Sequence, residues 1–326
     1  MKQARLLIGC VLAVALARAA CGGNVIVVGS GVGSPPTVQV FDARTHKLQK
    51  SFAAFDLPNY TGGVSVAAGE VLGDGNSYVI AGTGPSAPAM IAVRSLIGQL
   101  VYKLSVFPGD YPGGVNVAVG DVNGDGIDDI IVGMNESPGM VAVIDGKSRA
   151  QIASFIPYRD SNQGGVRVAV GRLKSDEPKY IIVAPTKDGS YIQAYSIHNL
   201  QTPVLTIFQQ NPGEGFNIAA GRFEGLGRPD DIAVASDFGG ILTIRIYRPD
   251  GGLWTSFPVP YFGPGGFRFG AVYTGGAFAY LAVAPGSGRS RQIYIFDPLR
   301  GFPVDGFLAL SPNYTGGLFV AGDDPF

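Results

Sequence analysis

The 326-residue sequence lacks an excess of charge of either sign. It has 24 Lys and Arg against 25 Asp and Glu, and charged residues make up only 15% of the chain. The basic residues are scattered singly, whereas a nucleic-acid-binding surface needs them clustered. A hydrophobic content of 46% also excludes intrinsic disorder, which requires a polar composition. The composition therefore predicts a globular chain with no nucleic-acid partner.

Long hydrophobic runs are also missing, apart from a short one at the N-terminus. A basic start precedes an apolar run at 6–17, and the tripeptide ARA at 17–19 fits the small-x-small pattern of a cleavage point. A membrane-spanning helix needs about 20 apolar residues, so this run predicts a secretory signal peptide over residues 1–19. The alternative is a buried N-terminal helix. We expect residues 20–326 to be secreted, periplasmic or at the cell surface, with no transmembrane segment.

Cysteine is nearly absent. Cys10 lies in the predicted signal peptide, so Cys21 stands alone in the mature chain and no internal disulfide can form. Two interpretations of Cys21 remain open. One is a bacterial lipid anchor, against which stands Arg18, at a position where lipoprotein signals usually have Leu. The other is a free terminal thiol.

Catalytic motifs are missing as well. No G-x-S-x-G, H-E-x-x-H or C-x-x-C pattern occurs, and GSGVGS at 29–34 lacks the following helix of a dinucleotide-binding loop. The two histidines, His46 and His198, fall in predicted turns and are interpreted as separate surface residues. The adjacent acids Asp230 and Asp231 could do glycosidase work, although a degenerate metal loop explains them better. We expect no catalytic residues and no enzyme.

The mature chain consists of an internal repeat, in which a Gly-rich strand pattern recurs six times at intervals of 50 or 51 residues. The six copies are GGVSVAAGEV at 62, GGVNVAVGDV at 113, GGVRVAVGRL at 164, EGFNIAAGRF at 214, GGFRFGAVYT at 265 and GGLFVAGDDP at 316. Three further apolar runs of strand length complete a unit, separated by Gly, Asp, Asn and Pro, and no helical periodicity is found. Four antiparallel strands in about 50 residues are typical of a β-propeller blade.

The two ends of the chain complete one another. Residues 24–56 supply a second, third and fourth strand without a first, and residues 316–323 supply a first strand with nothing after it. Pairing them would close a ring and remove an open sheet edge. The sequence therefore predicts an all-β fold over residues 20–326. This is a single six-bladed β-propeller of four-stranded antiparallel blades, closed by the N- and C-terminal strands.

The repeat resembles a known family. The stretch GGVNVAVGDVNGDGIDDIIVG at 113–133 is similar to FG-GAP repeats, also called VCBS-type repeats, as are its weaker copies, VFD at 40–42 and NYTGG at 59–63 and 313–317. Such repeats form the blades of the integrin α-chain head and of many bacterial secreted proteins. The resemblance covers essentially the whole mature chain, although integrin heads have seven blades. It implies an adhesion or interaction module.

In that family the pattern D-x-[DN]-x-D-G-x-x-D forms a calcium loop between the first two strands of a blade. The resemblance places one structural Ca²⁺ in the second full blade. The implied ligands are Asp121, Asn123, Asp125, the Ile127 carbonyl and Asp129. Calcium takes six to eight oxygen ligands, Gly126 permits a sharp turn, and three carboxylates this close repel one another without a cation. The alternative is a polar hairpin turn.

The equivalent loops of the other blades have lost this pattern. Leu72 interrupts it in the first blade, Arg172 and Lys174 in the third, and Arg222 in the fourth. Asp128, beside the last implied ligand, is expected to point away from the loop. One intact loop in six predicts a local structural clamp rather than a calcium sensor.

The sequence favours a non-enzymatic module that binds an extracellular protein or glycan through rim loops. Exposed loop aromatics would serve such binding, and packing between blades is an equally good interpretation of the candidates. These candidates are Tyr60, Tyr111, Tyr158, Tyr261 and Tyr314. The alternative function is an extracellular polysaccharide-active hydrolase or lyase, which would gather ionisable groups within about 5–10 Å in one cleft. Asn59 and Asn313 begin N-glycosylation sequons, which matter only in a eukaryotic secretory host.

Overall fold

The structure of the protein, a computed structural model, contains only β-strands, turns and loops in the part of the chain that it describes. That part comprises residues 24–108, 111–158, 164–175, 177–209, 215–225, 227–236, 242–259, 266–276, 278–288 and 290–324. The predicted signal peptide, both cysteines and Tyr261 lie outside these ranges. Within them, no helix is long and apolar enough to cross a membrane.

The described strands form six sheets of four antiparallel strands, which we number as blades in chain order. Blade 1 consists of β4 (Val64–Gly69), β5 (Tyr78–Thr83), β6 (Met90–Ser95) and β7 (Leu100–Ser105). Blade 2 consists of β8 (Val115–Gly120), β9 (Asp129–Met134), β10 (Val141–Ile144) and β11 (Gln151–Phe155). Blade 3 consists of β12 (Val166–Gly171), β13 (Tyr180–Pro185), β14 (Tyr191–Tyr195) and β15 (Leu205–Phe208). Blade 4 consists of β16 (Phe216–Gly221), β17 (Asp231–Ser236), β18 (Thr243–Tyr247) and β19 (Leu253–Pro258). Blade 5 consists of β20 (Phe267–Val272), β21 (Tyr280–Pro285), β22 (Gln292–Asp297) and β23 (Phe302–Leu308). Blade 6 consists of β24 (Leu318–Gly322), β1 (Val25–Ser30), β2 (Thr37–Asp42) and β3 (Leu48–Ala53).

The prediction of six blades closed by the two chain ends is confirmed. The first strand of each blade, here called its inner strand, contacts the inner strands of both neighbouring blades, so that β4, β8, β12, β16, β20 and β24 form a closed ring. In blade 6, β24 pairs with β1 in antiparallel register, from Ile26 opposite Gly322 to Ser30 opposite Leu318. The first and last strands, β1 and β24, therefore belong to the same blade.

The hydrophobic core lies between blades rather than inside one sheet. In one cluster Ile80 of blade 1 packs with Val117 and Ile130 of blade 2. All six residues of β9 are buried, because each face of the sheet is covered by another blade. The outer strand faces solvent instead: four of the six residues of β7 are exposed, and the other two, Tyr102 and Leu104, are partly buried. This explains why the inner and second strands of a unit read as nearly continuous apolar runs.

The blades have two distinct ends. Turns between the inner and second strands, and between the third and outer strands, lie at one end, which we call the lower face. Loops between the second and third strands lie at the opposite end, the upper face, together with the links from each outer strand to the next blade. The predicted calcium loop joins β8 to β9 and therefore lies on the lower face.

Side-chain hydrogen bonds tie the neighbouring inner strands of blades 1 to 5 together. In four blades, the side chain of the second inner-strand residue donates to the first inner-strand carbonyl of the next blade. The bonds run from Ser65 Oγ to Val115 O (2.7 Å), Asn116 Nδ2 to Val166 O (2.9 Å), Arg167 Nη1 to Phe216 O (3.1 Å) and Asn217 Nδ2 to Phe267 O (2.8 Å). The polar residue inside each of these apolar strands is thus a link between blades.

Removing one of these links should destabilise the fold. Asn217 is buried, so Asn217→Ala leaves the Phe267 carbonyl without this donor, at an expected cost of about 1–3 kcal/mol in the free energy of unfolding. Urea denaturation of the variant measures this change in the free energy of unfolding, and substitution of the exposed Asn313 by Ala is the control. A change within about 0.5 kcal/mol, as for an ordinary surface substitution, would contradict the assigned role.

Candidate functional site

The predicted calcium loop is a tight turn in blade 2. Gly120 and Asp129 pair across the ends of β8 and β9, and eight residues connect them. Gly124 and Gly126 have φ angles of 83° and 85°, a backbone conformation that is open to glycine and strained for other residues. The expected sharp turn at Gly126 is therefore confirmed.

Side-chain oxygens at alternate positions point into the loop and accept hydrogen bonds from its amides. Asp121 accepts from Gly124 N (2.6 Å) and Gly126 N (2.9 Å). The next two bonds run from Asp125 N to Asn123 Oδ1 (2.9 Å) and from Ile127 N to Asp125 Oδ1 (3.0 Å). Since a carboxylate or amide oxygen has two acceptor sites, these bonds orient the oxygens and leave capacity for a cation.

Asp129 closes the loop from inside the sheet. Its carboxylate accepts from Val122 N (3.0 Å), Asn123 N (3.1 Å) and Asn123 Nδ2 (3.1 Å), and its side chain is fully buried. Burial raises the pKa of Asp129 to about 7, although the backbone donors, among them Gly146 N, lower it, and the nearby Asp121 adds to the rise. Burial thus disfavours the charged form of this carboxyl group.

The loop contains the kinds of oxygen ligand that calcium needs, but the structure does not place them around one common centre. Three carboxylates, an amide oxygen and a backbone carbonyl match the hard oxygen ligands of calcium. In the described residues, however, no three His, Cys, Asp or Glu side chains come together as metal ligands do. The Asn123 amide nitrogen faces Asp129, and Lys147 Nζ lies 3.9 Å from Asp125 Oδ2. Calcium therefore stays a prediction, and binding requires these side chains to turn.

In two loops that lost the calcium pattern, an acidic side chain pairs with Lys or Arg side chains. In blade 4, Glu224 occupies the place of Asn123 in the repeat and pairs with Arg228 and with Arg248, whose Nε lies 2.6 Å from Glu224 Oε1. In blade 3, Lys174 Nζ lies 2.9 Å from Glu177 Oε1. The same turn thus combines acids with positive charge in blades 3 and 4.

Asp128 turns away from the loop, as predicted. Its Oδ2 accepts from Glu70 N of blade 1 (3.0 Å), and Asp230 makes the same bond to Arg172 N of blade 3 (2.6 Å). Burial raises the pKa of both Asp128 and Asp230. Asp231 is also buried and bonds within its own turn. The pair Asp230 and Asp231 therefore matches Asp128 and Asp129 of the calcium pattern, in agreement with the degenerate-loop interpretation.

The C-terminal residues reach across the lower end of the central channel. Asp323 accepts from Ser77 Oγ of blade 1 (3.0 Å), and Asp324 contacts Lys179 Nζ of blade 3 (2.6 Å), opposite blade 6 in the ring. Burial by itself lowers the pKa of Lys179, but Asp324 and Asp128 outweigh it and raise that pKa. A cavity of about 140 Å³ lies above, lined mainly by Val and Ala of the inner strands. Sequence reasoning missed this link, because its partners are distant in the chain.

The four described loop tyrosines pack or hydrogen-bond within the ring. Tyr60 and Tyr158 are buried, and their hydroxyls donate to backbone carbonyls at 2.9 Å. Tyr111 and Tyr314 are half-buried, and their hydroxyls accept from backbone amides at 2.8 and 2.6 Å. The packing interpretation is confirmed for Tyr60 and Tyr158, and Tyr111 and Tyr314 pack in part against hydrophobic clusters, so none of the four is a freely exposed aromatic.

The two histidines lie in different blades, in the turns between third and outer strands, as predicted. His198 is exposed. The side chain of His46 is only 10% exposed, because its ring stacks on Phe307 of blade 5 at 5.1 Å and its Nδ1 lies 3.1 Å from Asp305 Oδ2. The prediction of a surface histidine is therefore wrong for His46, which seals the seam between blades 5 and 6.

Six four-stranded blades around a channel, closed by the terminal strands, define a β-propeller. A sequence model of the FG-GAP repeat matches residues 113–144, from the start of the blade 2 repeat through β10. The chain is an FG-GAP-type repeat β-propeller. Repeats of this type are typically extracellular and typical of interaction modules.

Ring closure at Asp323 should depend on pH. Burial raises the pKa of this carboxyl to about 6, against its hydrogen bonds from Val25 N and Ser77 Oγ. A raised pKa in the folded state gives stability that is complete below about pH 4, the unfolded pKa, and is lost as the pH rises through about 6. The melting temperature of the wild type relative to Asp323→Asn should therefore fall between pH 4 and 7. A constant difference would contradict this.

Proposed function

We propose that the protein is a secreted, non-enzymatic, calcium-binding module that binds an extracellular protein or glycan through its upper face. The observation that carries the proposal is an open groove of about 870 Å³ on that face, between blades 5 and 6. Ligand sites typically measure about 300–1,000 Å³. The two described cavities along the channel are far smaller, at about 140 and 90 Å³, so the upper rim is the better surface for a ligand.

The arrangement of the acids supports binding over catalysis. The acids near the lower channel end are committed to the fold: Asp128 and Asp230 accept from backbone amides of neighbouring blades, and Asp324 pairs with Lys179. A glycoside hydrolase needs two carboxyl groups on either side of a substrate, about 5–10 Å apart and able to exchange protons with it. At the lower end of the channel, the hydrolase or lyase alternative would use described acids that already hold blades together.

Calcium would act locally in this account. Asp121, Asn123, Asp125, the Ile127 carbonyl and Asp129 would hold it, and its charge would offset the repulsion among the three carboxylates. A ligand that binds only the folded state stabilises it by roughly 2.7 kcal/mol at a hundredfold excess over Kd. The loop is on the lower face, away from the groove, which supports a structural role. In the equivalent turns of blades 3 and 4, Lys and Arg side chains balance the acids. This supports a similar role for a cation beside the acids of the blade 2 loop.

Titration of the EDTA-treated protein should reveal one calcium site. Asp125→Ala should abolish it, because it removes one of three carboxylates from the loop. Asp74→Ala is the matched control, since Asp74 occupies the same position in the degenerate loop of blade 1. Calorimetry counts the ions, and uptake of several ions per chain, or equal effects of the two substitutions, would contradict the assignment.

Calcium should protect blade 2 from hydrogen exchange and leave the other blades nearly unchanged, because repeats mainly contact their neighbours. Exchange with and without EDTA tests this. Binding of the chain to arrays of extracellular proteins and glycans should persist in EDTA below the melting temperature. Release of reducing ends or unsaturated sugars from polysaccharides would instead establish the enzymatic alternative. Even changes in protection around the ring would contradict a local role for calcium.

A further inference from the structure

The groove on the upper face is lined by uncharged polar side chains. Three loops meet there: the β1–β2 loop, the β21–β22 loop and the β23–β24 link. Their hydroxyl and amide groups belong to Ser34, Ser287, Ser311, Asn313 and Thr315. No described lining residue is acidic, and the one charged side chain is Arg268, whose guanidinium lies 4.2 Å from the Phe319 ring centroid. The described lining of the groove is therefore mostly polar, with a single cationic side chain.

Two apolar surfaces accompany these polar groups. Val32 at the tip of the β1–β2 loop is 56% exposed. The half-buried ring of Tyr314 also lines the groove. The Tyr314 hydroxyl donates to Gly317 O and accepts from Gly31 N, both at 2.6 Å, so the ring is held in one orientation.

The walls of the groove are fixed by backbone hydrogen bonds. Gly33 N in the β1–β2 loop donates to Thr61 O of the neighbouring link (2.8 Å), and Gly288 N in the β21–β22 loop donates to Thr315 O (2.8 Å). Gly31 N donates to Gly317 O (2.9 Å). A groove with walls held in this way loses little conformational entropy when a ligand enters, which favours affinity.

We propose that this groove is a preformed oligosaccharide-binding site, which rests on the proposed function as a binding module. A sugar presents hydroxyls that both donate and accept, together with an apolar C–H face. Ser and Thr hydroxyls and the Asn amide also both donate and accept, and Val32 and Tyr314 supply apolar contact. A peptide would fit less well, because peptide recognition uses a free strand edge, an apolar groove or charged clusters.

The chain contains its own matched control for this site. The pentapeptide NYTGG occurs at 313–317, beside the groove, and at 59–63, in the link between blades 6 and 1. Asn59, Thr61, Asn313 and Thr315 are all exposed, so substitution of either pair should leave the fold intact, with a small loss of stability where Ala replaces Asn59, whose φ is 58°. The double variants Asn313→Ala/Thr315→Ala and Asn59→Ala/Thr61→Ala therefore change the same side chains, inside and outside the groove.

The experiment uses protein from a bacterial host, so that the sequons carry no N-linked glycan. An array of neutral and uronic oligosaccharides of four to six sugars is probed, and the best binder is titrated calorimetrically against the wild type and both variants. Loss of two neutral hydrogen bonds should weaken binding about tenfold in Asn313→Ala/Thr315→Ala. The Asn59→Ala/Thr61→Ala variant should bind like the wild type. A cooperative melting transition in each variant confirms that both fold, and the Asn59→Ala/Thr61→Ala variant should melt slightly lower because Ala is strained at the φ of 58°.

The outcomes separate this inference from the broader proposal. Oligosaccharide binding that both variants retain, or lose equally, would overturn the groove assignment and leave the binding function standing. Binding to an extracellular protein without any oligosaccharide binding would do the same. Blank protein and glycan arrays would overturn both proposals.

Discussion

Pairing between the first and last strands is the constraint on which the rest of the structure depends. A blade buries both faces of its sheet, so it is stable only between two neighbours. Without β24, blade 6 would lack its inner strand, and blades 1 and 5 would each lose an inner-strand contact. The antiparallel register of β1 and β24 therefore holds the whole ring, and Asp323 and Asp324 extend the closure to blades 1 and 3.

The two faces of the ring differ in chemistry because they are built from different connections. The lower face has turns rich in Asp and Gly, and buried charges there are paired with a backbone amide or with another charge, as at Asp128 and Lys179. The upper face has loops with hydroxyl and amide groups, and it carries the wide groove between blades 5 and 6. The buried charges at the lower end therefore serve the fold, whereas the groove at the upper end is open.

Much of the fold could be predicted from the sequence, because each blade corresponds to one unit of a regular sequence repeat. The spacing of the Gly-rich strands predicted the number of blades, and the incomplete units at 24–56 and 316–323 predicted the closure. The tight turn at Gly126 and the outward direction of Asp128 also followed from the local pattern. Such features depend on residues close in sequence or on the period itself.

The contacts between distant residues could not be predicted in the same way. The pattern of β16 by itself did not show that Asn217 bonds to Phe267 of the next blade, although a polar residue at the same place in five units was an available signal. Covering of His46 by Phe307 and capping of the channel by Asp324 depend on packing between elements that no local pattern relates. The groove likewise exists only where three loops from two blades meet.

Removal of the closing strand tests the central claim most directly. A chain that ends at residue 315 lacks β24, while a permuted chain with residues 316–324 placed before residue 24 through a short linker restores it. The account predicts that the truncated chain loses its cooperative melting transition as a whole and that the permuted chain recovers it. A truncated chain that melts cooperatively near the wild-type temperature, or a permuted chain that fails to recover, would contradict the account.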